Sequence, residues 1–200
     1  MKNLIYLIIS LLAFSCINKD SSYYNERGIA LGLDQEYQEA IEKFDKAIKL
    51  DSSYINPYFY RGSSKIKVGE YYGAIKDLTK VINYNSDNQH AYNNRGVAYR
   101  YLKKYSLAIE DFDKAIKIDS MYFYPYYNRG ITFYEQELYD KALLEFNTSI
   151  LLNPYEGDSY YYRAKTFFEL GIIDKGCHDI KIAIEYGING SDEIKSKYCE

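Results

Sequence analysis

Apolar and small side chains return along this chain at a stride of 34 residues, marked each time by an arginine and a small neighbour: Arg27-Gly28, Arg61-Gly62, Arg95-Gly96, Arg129-Gly130 and Arg163-Ala164. A tyrosine stands four residues before each small position (Tyr24, Tyr58, Tyr92, Tyr126, Tyr160), and an isoleucine twenty after it (Ile48, Ile82, Ile116, Ile150, Ile184). A fixed period of this size marks stacked supersecondary units, none of which can bury its own apolar face alone. Counting each unit from Ser21, Ile55, Gln89, Phe123 and Gly157 puts the small residue at position eight and Ala40, Ala74, Ala108, Ala142 and Gly176 at position twenty. Phe44, Leu78, Phe112, Phe146 and Ile180 follow at twenty-four, then Ala47, Val81, Ala115, Ser149 and Ala183 at twenty-seven, which is helical spacing. Each unit therefore predicts two antiparallel helices, with the small residues at eight and twenty facing each other at the crossing. Between units, Asp51-Ser52-Ser53, Asn85-Ser86-Asp87-Asn88, Asp119-Ser120-Met121 and Asn153-Pro154 carry turn and N-cap chemistry.

This pattern divides the chain into repeats over 21–54, 55–88, 89–122, 123–156 and 157–190, followed by a short polar helix over 191–200 with Ser191 as its N-cap. A small residue at eight, an aromatic at eleven (Tyr99, Phe133, Phe167), alanine at twenty, an aromatic at twenty-four and a turn near thirty-two together resemble the tetratricopeptide repeat. The resemblance implies an all-α, right-handed superhelical solenoid of five helix-turn-helix repeats plus a C-terminal capping helix. Position eleven is Leu31 and Lys65 in the first two repeats, and the family's proline at thirty-two survives only as Pro154, departures that touch local packing.

In that family the working surface is a concave groove lined by the first helices. Carried onto this sequence, the resemblance implies peptide-binding roles for Asn25, Phe59, Asn93, Asn94, Arg100, Tyr124, Tyr127, Asn128, Tyr161 and Lys165. Amides can pair with the backbone of an extended peptide, and tyrosine rings supply apolar contact with little rotamer entropy to lose. The cations that clamp an acidic chaperone tail in some members have no counterpart here, since the matching positions hold Asn25, Ile29, Tyr60, His90 and Asn94. The function implied is a non-enzymatic protein-interaction scaffold that captures a peptide segment or partner protein. The alternative is a structural subunit of an envelope assembly complex, of the β-barrel or pilus assembly type, working through its convex face and edges. The recurring arginine at seven and the acids at twenty-three (Asp77, Asp111, Glu145, Asp179) read as structural ion pairs, with the repeat of origin of each partner left open.

The beginning of the chain changes this picture. Lys2, an apolar run from Leu4 to Phe14 and then Ser15 form a targeting segment too short to span a bilayer. Leu12-Ala13-Phe14-Ser15-Cys16 resembles a bacterial lipobox, which implies a signal peptide over 1–15, lipidation of Cys16 and a tether over 16–20. The chain ending resembles that of exported tetratricopeptide lipoproteins of the Bacteroidota type, implying an outer-membrane lipoprotein of the cell envelope. Two cysteines remain, Cys177 and Cys199; an oxidising compartment favours one bridge between them, and the other reading is two free thiols with Cys177 as a small core residue.

Charge and motif content narrow the function further. The 200 residues carry a formal net charge of −3 and no clustered basic surface, which argues against nucleic acid. His90 and His178 fall in different repeats, and no HExxH, GxSxG or phosphate-cradling glycine loop is present, so no enzyme is expected. No cofactor or metal is expected either, because Cys177, His178 and Cys199 lack a fourth zinc ligand.

Overall fold

The computed structural model describes residues 19–199. The expected signal peptide over 1–15 and the expected lipidation of Cys16 lie outside the described residues. All regular structure among the described residues is helical: α1 (Ser21–Leu33), α2 (Tyr37–Leu50), α3 (Asn56–Lys67), α4 (Tyr71–Tyr84), α5 (Gln89–Tyr101), α6 (Tyr105–Ile118), α7 (Phe123–Glu135), α8 (Tyr139–Leu152), α9 (Gly157–Glu169), α10 (Ile173–Glu185) and α11 (Ser191–Tyr198). None of these is long and apolar enough to cross a membrane.

The helices stop where backbone chemistry tells them to. Inside every repeat the N–H of position sixteen closes back on the carbonyl of position eleven, as in Glu36 to Leu31, Lys104 to Tyr99 and Ile172 to Phe167, each at 2.9 Å. This is the Schellman closure, and it requires a left-handed residue beside it. That residue is position fifteen in all five repeats: Gln35, Gly69, Lys103, Glu137 and Gly171, with φ between 56° and 84°. Because the closing bond is backbone to backbone, Leu31 and Lys65 at position eleven do not disturb it.

The turns between repeats use side chains instead. The carboxylate or amide oxygens of Asp51, Asn85, Asp119 and Asn153 accept from the N–H two residues on, at 2.9 to 3.3 Å, so these residues end the preceding helix with an Asx-turn. N-capping falls to others: Asp20 accepts from the Tyr23 N–H and Asn88 from the Ala91 N–H.

The described residues divide into two compact units, one ending at Glu70 and the other beginning at Tyr71. In the first, α1 packs against α2, and α3 packs on both. In the second, each helix from α4 to α11 packs on the next, and the first helices also touch one another, α5 with α7 and α7 with α9. Phe44, Phe112 and Phe146 are fully buried. A Cβ on Gly28, Gly96 or Gly130 would meet the ring of that phenylalanine at 2.6 to 2.7 Å. The small residue at eight is therefore dictated chiefly by the aromatic at twenty-four, where the sequence suggests the small residue at twenty; at Gly96 the Ala108 carbonyl also comes within 3.1 Å. The fifth repeat exchanges the parts. Its position twenty-four is Ile180, Ala164 is tolerated at eight, and the glycine moves to Gly176, whose Cβ would strike the Phe168 ring at 2.4 Å.

Candidate functional site

The recurring arginines are structural, and they link repeats as well as helices. Arg95 makes a bidentate pair with Asp111 of its own repeat at 2.7 to 2.8 Å and donates to Thr79, at position twenty-five of the repeat before. Arg129 does the same with Glu145 and Asp113, and Arg163 with Asp179 and Asn147. Within the first unit Arg61 reaches Asp45, again position twenty-five of the preceding repeat. The acid at twenty-three thus belongs to the arginine's own repeat, while position twenty-five carries the bond to its neighbour.

The predicted groove residues fall into two groups. The first is occupied by its own neighbours. Asn93 is 5% exposed, accepts from the Asn128 amide at 3.0 Å and donates to Asn94 at 3.2 Å. Asn128 is buried as well, and Asn25 donates to the Tyr54 hydroxyl at 3.3 Å from a buried position. Arg100 is also buried, stacks over the Tyr101 ring and donates to Glu135. Burial works against its charge, and Glu135 more than offsets this, holding the guanidinium above its ordinary range.

The second group keeps surface. Tyr124 is 41% exposed and packs on Phe123, and Phe59 lies half-buried beside Tyr60. Tyr101, 49% exposed, lies stacked against Tyr71 at 4.8 Å. Tyr127, Tyr134, Tyr162 and Phe146 form an aromatic cluster with ring centroids 5.8 to 6.4 Å apart. Lys165 lies over the rings of Tyr134, Tyr161 and Tyr162. Burial raises the Tyr127 and Tyr134 hydroxyls well above the ordinary phenol range, with Asp158 acting in the same sense on the first and Glu169 on the second.

Residues 21–54 and 90–122 each match a family model described as Tetratricopeptide repeat. The chain carries tetratricopeptide repeats. No curated protein matches the sequence significantly. Among solved structures, the thermophilic tetratricopeptide protein TTC0263 of Thermus thermophilus superimposes with a TM-score of 0.75 at 16% identity, over 89% of this chain and 96% of that one. MamA follows at 0.66 and 23% identity, over 86% and 97%. YrrB, described as a TPR protein with an unusual peptide-binding site, follows at 0.62 and 20%, over 94% and 96%. At these identities the likeness is one of fold.

Two features of these tetratricopeptide repeats escape a reading by position alone. One is the family of contacts 35 residues apart between neighbouring first helices: Asn93 with Asn128, Arg100 with Glu135, and the Tyr134 hydroxyl donating to Glu169 at 3.4 Å. The stride of 34 plus one was the available signal. The other is the ring partner of the C-terminal helix, which lies beside the Cys177–Cys199 bridge that the sequence favours; that bridge is present, with Cα atoms 5.6 Å apart. The bridge holds α11 so that Tyr198 stacks on Phe168 at 4.4 Å. Among the described residues no group of three or more His, Cys, Asp or Glu side chains could hold a metal ion.

Proposed function

We propose that this chain is a non-enzymatic protein-interaction scaffold that holds a segment of a partner protein against the face of its first helices. The observation that carries this reading is the exposure of the Tyr101 ring on α5 and the Tyr124 ring on α7, first helices whose Asn93 and Asn128 are already bonded to one another. Such a face offers rigid apolar contact rather than backbone-reading amides. The peptide-binding description of YrrB supports a ligand of this kind. The lipobox-like run ending at Cys16 supports tethering to the outer membrane of a bacterial envelope, with the repeats as the working part.

Affinity capture from detergent-solubilised envelopes tests the binding face, using the full chain beside a Tyr101→Ser, Tyr124→Ser variant with unchanged helicity. A partner retained by the wild type and lost by the variant is expected. Equal retention removes the first-helix face and leaves the second reading, a structural subunit using its outer helices, which Leu144 and Leu151 of α8 favour at 66% and 82% exposure. For the anchor, Cys16→Ser is expected to abolish radiolabelled palmitate incorporation and release the protein from membranes; unchanged labelling overturns lipidation at that residue.

A further inference from the structure

The first unit contains an apolar cleft of about 170 Å³ between α1, α2 and α3. Its walls include Phe44, Tyr37 and Tyr60, its floor includes Gly32, and Lys67 is the one charged residue among those lining it. Each wall has a counterpart at the same repeat position around Tyr134 in the second unit. Phe44 corresponds to Phe146, Tyr37 to Tyr139, Tyr60 to Tyr162 and Lys67 to Glu169. The frame is shared in geometry too: Tyr60 stacks on Phe44 at 6.0 Å and 16°, and Tyr162 on Phe146 at 6.1 Å and 27°. What differs is position twelve. In the fourth repeat it is Tyr134, whose ring packs against Tyr139 at 5.6 Å and Tyr162 at 6.2 Å. In the first repeat it is Gly32, and a Cβ there would meet nothing within 4 Å.

We propose that this cleft receives an aromatic side chain from a partner peptide, with a carboxylate next to it in sequence meeting Lys67. The inference rests on the protein-binding reading above and names the chemistry of the ligand. Size supports it, since an apolar cavity of about 150 Å³ accepts a single benzene ring, whereas whole cofactors and drug-sized ligands occupy about 300 Å³ or more. Internal symmetry supports it, because the same walls enclose a tyrosine ring in the second unit. Charge decides the neighbour of that ring. Glu169 accepts the Tyr134 hydroxyl proton at the corresponding place, and an ammonium there instead favours an anion.

The test is fluorescence anisotropy with three labelled hexapeptides, Gly-Ser-Asp-Tyr-Ser-Gly, Gly-Ser-Lys-Tyr-Ser-Gly and Gly-Ser-Asp-Ala-Ser-Gly, titrated with the full chain in detergent. The Asp-Tyr peptide is expected to bind saturably and at least about tenfold more tightly than either control. Gly32→Tyr, which rebuilds the fourth-repeat arrangement, should abolish that binding while keeping or raising the thermal midpoint. Lys67→Glu should reverse the preference toward the Lys-Tyr peptide. Equal binding by wild type and Gly32→Tyr overturns the proposal, as does the absence of saturable binding of the Asp-Tyr peptide. In either case a partner captured through Tyr101 and Tyr124 leaves the broader reading standing, and loss of that capture alone leaves the cleft standing.

Discussion

The α1–α3 region and the α7–α9 region share one aromatic frame and put it to opposite uses. Around Phe146 the frame is closed by Tyr134, roofed by Lys165 and joined to the next repeat through Glu169. Around Phe44 the same frame stands open above Gly32, with Leu33 at its rim 79% exposed. In a solenoid each repeat must complete its neighbour's core, so a ring at position twelve is the stabilising choice. A glycine there gives up that contact and leaves surface that a second molecule can cover. The fifth repeat shows a third solution, in which Phe168 at position twelve is covered by Tyr198 from α11.

The largest expected effect comes from removing the ring on which the closed frame is built. Phe146→Ala should cost about 3–5 kcal/mol, the range for truncating a buried aromatic. Phe44→Ala should fall toward the lower end, because the buried Phe44 ring lies against a cleft into which neighbouring side chains can shift. Urea unfolding of the two variants checks this, and equal losses would mean that the open frame is as tightly packed as the closed one. Next is the covered end. Breaking the Cys177–Cys199 bridge by double serine substitution should cost about 3 kcal/mol in the chain-entropy model and expose α11 to proteolysis ahead of the rest. A bridge-free protein whose C-terminal helix resists protease as before would show that Tyr198 on Phe168 is sufficient to hold it.

A smaller effect comes from exchanging the residues at position twelve. Tyr134→Gly should cost roughly 2–3 kcal/mol, combining part of a buried aromatic with a glycine in a helix interior. Gly32→Ala should gain about 0.5–1 kcal/mol, since it removes glycine's entropy cost where an added Cβ meets nothing. Losses at both sites, measured by the shift in unfolding midpoint, would mean that Gly32 is held by a contact absent from the cleft walls.

How much of this was legible from sequence follows from which contacts are periodic. Helix pairing, the small residue at eight and the arginine at seven all repeat every 34 residues, so periodicity locates them. What periodicity leaves open is the direction in which a side chain crosses between repeats. Asn93 and Asn128 share the amide chemistry of a ligand-binding face, yet they bond to each other because neighbouring first helices bring residues 35 apart together. The arginine's second partner at position twenty-five was hidden for a similar reason: Asp45, Thr79, Asp113 and Asn147 differ in charge, so no single residue type marks the position. The cleft is a case of the opposite kind. Gly32, Ile66, Arg100, Tyr134 and Phe168 at position twelve show the exception plainly, but its meaning needs the walls that surround Tyr134.

The smallest effect, and the one that reads the closed frame most directly, is its response to alkali. Tyr127 and Tyr134 are held above the ordinary phenol range chiefly by burial, so the folded state retains their protons where the unfolded chain, ionising near pH 10, releases them. The stabilisation associated with these groups is therefore complete below about pH 10 and is lost as pH rises through that value toward their folded-state ionisation. Absorbance at the phenolate band should show them titrating above the ordinary phenol range. In Tyr134→Gly, water admitted to the cluster should bring the Tyr127 ionisation down toward the ordinary range. A titration curve that changes only by the loss of one late-titrating group would mean that Tyr127 owes its burial to Phe146 and Tyr162 alone, and that the fourth repeat stays closed without the residue that distinguishes it from the first.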